Sequence, residues 1–220
     1  MYKVNDSLEF YANVSQNYRS INFTDMQIQN PNFKIDPNLE DEKGYNSDLG
    51  FRGGIKNKIT YDVSLFGLYY SNRIGTTVET DSVLYNTYQY RTNISASLTT
   101  GIEALAEINI WKWFVNDSSD FDLSYFANIS YVNSKYIKSK EAAFENKNVE
   151  LVPPFNLKTG FTISYKSFST SLQYAYTHQH FSDATNSIQQ ANAVNGIIPT
   201  YQVIDFSLKY SYKWLSVESG

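Results

Sequence analysis

Cysteine is absent from this 220-residue chain, so neither a disulfide framework nor a thiolate-ligated metal can organise it. No apolar run approaches the roughly 18 residues of a membrane-crossing helix. Mean hydropathy is -0.42, and a helical membrane protein is excluded. Basic excess is missing too. The net charge is -4, and no basic stripe exists to neutralise phosphates, so nucleic acid is not expected as a partner. Histidine occurs only twice. There is no Gly-x-Ser-x-Gly, no His-Glu-x-x-His and no phosphate loop. With so few general bases and no catalytic motif, the chain reads as a non-enzyme.

What is present is aromatic and periodic. The chain holds 19 Tyr and 14 Phe, an excess that suits amphipathic rings at two lipid–water interfaces. Phe121, Leu123, Tyr125, Ala127, Ile129 and Tyr131 alternate with Asp122, Ser124, Phe126, Asn128, Ser130 and Val132. This period of two recurs in segment after segment, and short turns alternate with long polar connections. One apolar face, one polar face and unequal connections point to a transmembrane β-barrel, whose alternation keeps average hydropathy low.

About nine strands are expected. They fall near Ser7–Arg19, Gly44–Gly54, Ile59–Ser71, Tyr90–Trp113 and Phe121–Asn133. Two others start at Phe155 and Phe168, an eighth carries Ile204, Phe206, Leu208, Tyr210 and Tyr212, and a ninth begins at Leu215. Short turns are expected at Ile55-Lys56-Asn57-Lys58, Asn116–Asp120, Lys166-Ser167 and Lys213-Trp214. Long loops are expected at Ser20–Glu42, Asn72–Thr87, Ser134–Val149 and from the histidines to Pro199. The first loop holds the turn-initiating pairs Asn30-Pro31 and Asp36-Pro37. Pro153-Pro154 mark a strand start, since proline is not tolerated at a strand centre. Short turns belong to the periplasmic rim and long loops to the cell exterior, so the first strand runs outward and the eighth inward. A soluble β-sandwich shares the alternation but not the length. Strands of about 10–13 residues fit a tilted bilayer crossing, whereas soluble strands average about five or six.

Several stretches resemble a known family. They are Tyr18-Arg19-Ser20-Ile21-Asn22-Phe23-Thr24-Asp25, Asn30-Pro31-Asn32-Phe33, Asp36-Pro37-Asn38-Leu39-Glu40-Asp41-Glu42-Lys43-Gly44-Tyr45 and Asp48-Leu49-Gly50-Phe51-Arg52-Gly53. Together they are similar to the barrel half of TonB-dependent outer-membrane receptors. Asp48 stands where that family's strand Glu usually does, and Ile21-Asn22-Phe23 replaces its commoner Ala-Pro-Ser. Among subgroups the chain most resembles ferric-dicitrate-type receptors. The resemblance implies an all-β, antiparallel transmembrane β-barrel segment, incomplete at both ends. It would be approximately strands 13 to 21 of a barrel of about 22 strands. The plug domain, the TonB box and the final strand would lie outside residues 1–220. No basic start leads into an apolar stretch, so no signal peptide is read and a mature fragment is expected.

The implied function is energised uptake of a ferric chelate, a siderophore or ferric citrate, across the bacterial outer membrane. The implied partners are the TonB complex through the N-terminal segment, outer-membrane lipid and lipopolysaccharide, and the iron chelate itself. No cofactor is implied, since the ferric chelate is cargo. Arg19, Arg73 and Arg91 fall at the outer ends of strands, where an anionic chelate first meets a receptor. Guanidinium binds carboxylate bidentately, which suits these three as ligand-binding residues. The competing reading has them solvated or paired with Glu79, Asp81 or lipopolysaccharide phosphates.

His178 and His180 share a strand parity with Tyr174 and Tyr176, on the lipid side near the outer rim. Two ligands are too few for a tight metal site, and an interfacial role is expected. Glu103 and Glu107 lie roughly 13 Å apart along a strand, too far for glycosidase geometry. They are expected to line the lumen and to face Lys or Arg on neighbouring strands. Two further classes fit the same barrel, a glycan-importing receptor of the same superfamily and a passive porin-like barrel. Glycan import would favour stacked Trp in the outer loops, yet Trp111, Trp113 and Trp214 all fall at the short-turn rim.

Overall fold

Strands in hydrocarbon must pair through their whole length, because lipid satisfies no backbone N–H or C=O. That rule governs the architecture in the computed structural model, which describes every residue except 6, 29, 30, 57, 82, 84, 116–119, 140, 141, 183, 189–195 and 220. The strands are β1 (Tyr2–Asn5), β2 (Leu8–Arg19), β3 (Phe33–Ile35), β4 (Glu42–Ile55), β5 (Ile59–Thr80), β6 (Thr87–Asn109) and β7 (Phe121–Ser139). They continue as β8 (Phe155–Tyr165), β9 (Phe168–Thr177), β10 (His180–Phe181), β11 (Ile197–Ile198), β12 (Tyr201–Tyr212) and β13 (Leu215–Ser219). One helix, α1 (Ile110–Phe114), lies between β6 and β7.

The main sheet runs β1-β2-β4-β5-β6-β7-β8-β9-β12-β13. Each neighbour pair is antiparallel. The sheet does not close on itself, and β1 and β13 are its edges. β3 joins as a parallel strand beside the outer part of β6, and β10 and β11 form a separate two-stranded ribbon.

All nine expected strands are found, and four short ones are added: β1, β3, β10 and β11. Three boundaries differ from expectation. Most of Asn72–Thr87 is strand, not loop, because β5 and β6 continue outward as one long hairpin. Two register shifts, between Tyr70 and Arg73 and between Arg73 and Ile74, interrupt that pairing. They erase the sequence period locally. The fourth strand ends at Asn109, and Trp111 and Trp113 lie in α1, whose first turn is capped when the Asn109 side chain accepts from the Lys112 amide. β7 extends to Ser139, six residues past Asn133. Asn30, Asn57 and residues 116–119 of the expected turns lie outside the described residues.

Register places the two faces. Tyr125, Phe161, Leu172 and Phe206 stand in one cross-strand row, and Leu49, Leu65, Leu172 and Ile204 are 50–70% exposed. A soluble protein would bury such a surface; a bilayer covers it. The band is bounded by aromatic rows. Phe121, Tyr165, Phe168 and Tyr210 align at the short-turn rim, where Trp111 packs on Phe121 at 4.5 Å and Phe168 on Tyr210 at 4.6 Å. Tyr131 and Phe155 pair at the other rim. From Phe121 to Tyr131, a strand tilted by about 40° rises roughly 25 Å, the height of the apolar band in such barrels.

The opposite face is polar. Glu9 pairs with Arg52 at 3.2 Å, and the Tyr11 hydroxyl donates to Asp62 at 2.7 Å. Gly50 makes that last bond possible. A Cβ there would sit 2.5 Å from the Tyr11 ring, so only glycine lets the ring lie across the strand. Glu103 and Glu107 are on this face, but their cross-strand neighbours are Ser64 and Ser130, and Thr60 and Phe126. Neither has an ion-pair partner among the described residues. The expectation that they face Lys or Arg fails because no basic residue shares their rows.

Face assignment is testable by charge insertion. Leu172→Arg, at mid-height on the lipid side, is expected to cost about 2–4 kcal/mol of barrel stability, while Gln173→Arg on the polar side costs close to none. Unfolding of the full-length gene product in detergent and denaturant reads the difference. Equal effects at both positions would reverse or abolish the assignment of faces.

Candidate ligand-binding mouth

The long connections gather at the rim opposite the short turns, and there the strand ends hold most of the chain's organised charge. Arg19 closes β2 and lies opposite Glu42, the first residue of β4. Their side chains meet at 2.9 Å. The same Glu42 oxygen accepts the Ile74 amide at 2.9 Å, a donor displaced from the ladder by the neighbouring register shift.

After Arg19 the chain turns tightly. The Asn22 side chain accepts the Asp25 amide at 3.0 Å, and Asp25 accepts the Asn22 amide at 3.1 Å. This reciprocal pair has the logic of a helix capping box. It delivers the Asp25 carboxylate, 2% exposed, onto two guanidiniums. Arg19 donates to both of its oxygens, at 3.1 and 2.9 Å, and Arg91 of β6 donates at 3.0 Å. Burial alone would raise the carboxyl's pKa, but the Asn22 amide and the two arginines outweigh it and hold the group below its usual range.

Beyond this turn the segment stays tied to β6. Arg91 stacks over the buried Phe33 ring of β3. The Gln89 amide donates to Asn32 at 2.7 Å, the Asp36 amide to Arg91 at 2.8 Å, and the Thr92 hydroxyl to Asp36 at 2.5 Å. The described residues between β2 and β4 are therefore held to β6, pinned at Asp25, β3 and Asp36.

Arg73 is held differently. It sits between the two register shifts of β5 with its guanidinium 5.5 Å from the Tyr136 ring. No carboxylate partner exists for it among the described residues. Tyr136 is 2% exposed and donates to Glu150 at 2.6 Å, which folds residues 142–150 back onto β7. Arg19, Arg73, Glu42, Tyr70, Val149 and Glu150 line a cavity of about 310 Å³ between these folded connections.

The three expected arginines are thus brought to one end of the sheet. Arg19 and Arg73 share the cavity wall, and Arg91 joins through Asp25. The alternative partners are taken elsewhere, with Tyr88 donating to Glu79 at 3.1 Å and Lys34 standing 3.8 Å from Asp81. Asp25, Glu42, Tyr136 and Glu150 were not singled out from sequence. Only Asn22-x-x-Asp25 carried a local signal, the spacing of a reciprocal cap. His178 and His180 stay at the rim, where Nδ1 of His178 lies 3.0 Å from the Tyr176 hydroxyl. Among the described residues no three His, Asp or Glu side chains form a metal-binding group.

Residues 1–219 match the family described as TonB dependent receptor-like, beta-barrel. The chain belongs to the TonB-dependent receptor family. Its place is the bacterial outer membrane, and its family is one of receptors and transporters. Among solved structures it is similar to the ferric citrate transporter FecA in its unliganded form, at 18% identity and a TM-score of 0.73, covering 96% of this chain and 30% of that one. It is also similar to the ferric yersiniabactin uptake receptor FyuA from Yersinia pestis, at 18% identity and 0.66, covering 95% and 28%. The copper transporter OprC matches at 12% identity and 0.66, covering 95% and 30%. At such identities the likeness concerns the fold, and the TonB-dependent receptor chain spans about 30% of the FecA chain. No curated protein matches the sequence.

Asp25 has a definite pH signature. Because its folded pKa is depressed, its contribution is complete above about pH 4 and is lost as pH falls through the lower, folded value. A spin label at the exposed Phe23 (Phe23→Cys) should be immobile at neutral pH and become mobile only below that range. In the Asp25→Asn background it should be mobile throughout. A label indifferent to both changes would show that Asp25 does not anchor the segment.

Proposed function

We propose that this chain is part of the wall and outer mouth of a receptor that takes up a ferric chelate, with ferric citrate or another carboxylate-rich siderophore as cargo. Its main strands correspond in this reading to approximately strands 13 to 21 of a barrel of about 22. A plug in the lumen and a TonB-contacting segment would come from the rest of the receptor. The polar face of β2, β4, β5 and β6 would line the lumen.

The observation that carries the reading is the convergence of Arg19, Arg73 and Arg91 at the mouth. A cavity walled by guanidinium selects carboxylate oxygens by both charge and fork geometry. Arg73 is the first contact, since it faces an aromatic ring instead of an anion. Arg19 and Arg91 are reached by exchange, when carboxylates of the chelate replace Asp25. Fold likeness to the ferric citrate transporter FecA and to FyuA supports the same cargo class. Lipid and lipopolysaccharide would surround the apolar band, and the two histidines near Tyr176 would sit at that interface.

The test is a titration of the purified full-length gene product in detergent with ferric citrate, a ferric hydroxamate and an oligosaccharide. Ferric citrate should bind at micromolar concentration or tighter. Arg73→Ala should weaken it about tenfold, and the triple change of Arg19, Arg73 and Arg91 to Gln should weaken it at least a hundredfold. Binding of the oligosaccharide alone would move the receptor to the glycan importers. Binding of none of the three would remove the iron-chelate reading.

A further inference from the structure

The arginine-lined cavity is walled by charges of both signs. Two guanidiniums, Arg19 and Arg73, share it with two carboxylates, Glu42 and Glu150. Its floor is the polar face of the sheet. Leu68, Thr99 and Ser134 form one cross-strand row there, and Tyr70, Ser97 and Tyr136 the next. The Thr99 and Ser134 hydroxyls meet at 2.6 Å. Glu42 is engaged by Arg19 and by the Ile74 amide, and Arg19 is held by Glu42 and Asp25. The two wall charges without an ion-pair partner among the described residues are Arg73 and Glu150.

Glu150 is fixed in place. The Val149 amide donates to Ser134 at 3.1 Å and the Tyr136 amide to Lys147 at 2.9 Å, while the Tyr136 hydroxyl donates to Glu150 at 2.6 Å. That last bond does not account for the charge, since a glutamine side chain offers the same acceptor. What the charge adds is electrostatic. A carboxylate on the wall of a half-buried anion site repels an incoming ionised carboxylate, and more strongly than it would in bulk water. A metal-free polycarboxylate meets that repulsion in full. In a ferric chelate the same oxygens are bound to Fe³⁺, which draws off their charge and acidifies the water and hydroxyl protons of its shell. Those protons are donors to Glu150, whereas a free carboxylate offers none.

We infer that Glu150 is the specificity residue by which the mouth distinguishes an iron-loaded carboxylate chelate from the metal-free chelator. Arg73 binds a carboxylate of either form, and Glu150 favours the form whose charge the metal has drawn off. The inference rests on the ferric-chelate reading of the mouth and adds to it the loading state of the cargo. Where iron is scarce, metal-free chelator outnumbers the loaded form, and a site walled by guanidinium alone would fill with it.

The test titrates the full-length receptor in detergent at pH 7 with ferric citrate and, separately, with metal-free citrate, by calorimetry. The unaltered receptor should bind ferric citrate at least about thirtyfold more tightly. Glu150→Gln keeps an acceptor for Tyr136 and removes the charge. It should tighten metal-free citrate at least about tenfold without tightening ferric citrate. Glu150→Ala, which shares with it only the loss of charge, should narrow the preference in the same direction. Tyr136→Phe removes the hydrogen bond and keeps the charge, so it should retain the preference. Ferric citrate bound with no preference, with a preference that both Glu150 variants leave unchanged, or with one that Tyr136→Phe abolishes equally, would overturn the inference and leave the cargo reading standing. Binding of neither form would remove the cargo reading and the inference with it.

Discussion

Every feature of the membrane-embedded part follows from one requirement, that each backbone N–H and C=O find a partner inside the protein. Hydrocarbon offers none, and each unmet group costs several kcal/mol. Continuous antiparallel pairing meets the requirement, as from Leu8 to Arg19 against Gly53 to Glu42. Continuous pairing in turn forces strict alternation, because a slip of one residue would turn the whole apolar set inward. The edges β1 and β13 mark where the rule reaches beyond this chain. Lipid cannot satisfy an open edge, so the sheet makes physical sense only as a section of a closed wall.

The requirement lapses at the outer rim, where water reaches the backbone. β5, at 22 residues, runs roughly 70 Å along its axis, far more than a tilted crossing needs. On this side of the sheet the irregular geometry begins past the outer aromatic row. Asn72 takes a φ of 55°, two register shifts flank Arg73, and β3 joins β6 in parallel. Each would be costly in hydrocarbon, and in water each aims a side chain that a regular ladder would point elsewhere. Arg73 lines the arginine-bearing cavity, so the break in the ladder helps to position that cavity.

This division explains what could be read from sequence. In the membrane one face is apolar and the other polar, and period two survives averaging; Phe121–Tyr131 is legible for that reason. The turns Lys166-Ser167 and Lys213-Trp214 were legible because the strands on either side keep their period up to the turn. Past the rim both faces of β5 and β6 are wet, so Asn72–Thr87 has no contrast between faces and reads as loop although it is paired. Trp111 and Trp113 fall on the opposite parity to Ile102, Ile108 and Ile110, and the Asn109 cap starts a helix there. Arg19, Arg73 and Arg91 were singled out as lying at or beyond strand ends; Arg19 does end β2, but Arg73 lies within β5 and Arg91 within β6, because that hairpin continues outward past the membrane. Their partners were not singled out, because Asp25 meets Arg91 across 66 positions and Glu42 meets Ile74 across 32. Such encounters are set by topology, and no spacing records them.

The pairing of Asp25 with two arginines bears on how a mouth can be both stable and open to ligand. Three guanidiniums held close together with nothing between them would repel one another and strain the rim. Asp25 relieves two of them, and Glu42 relieves Arg19 a second time. Asp25 is buried, yet its partner Arg19 keeps a side chain 41% exposed, so one side of the pair stays in reach of water. A buried pair whose partners are both dry resists exchange, since opening it strands a charge. A pair with one wet face exchanges more easily, because an incoming carboxylate reaches Arg19 while Asp25 still holds Arg91. In the proposed uptake a ligand would replace an interaction of the same kind, carboxylate for carboxylate. The net gain would come from what Asp25 does not supply: further carboxylates on one rigid chelate, and Arg73, which lies over Tyr136 with no carboxylate partner among the described residues.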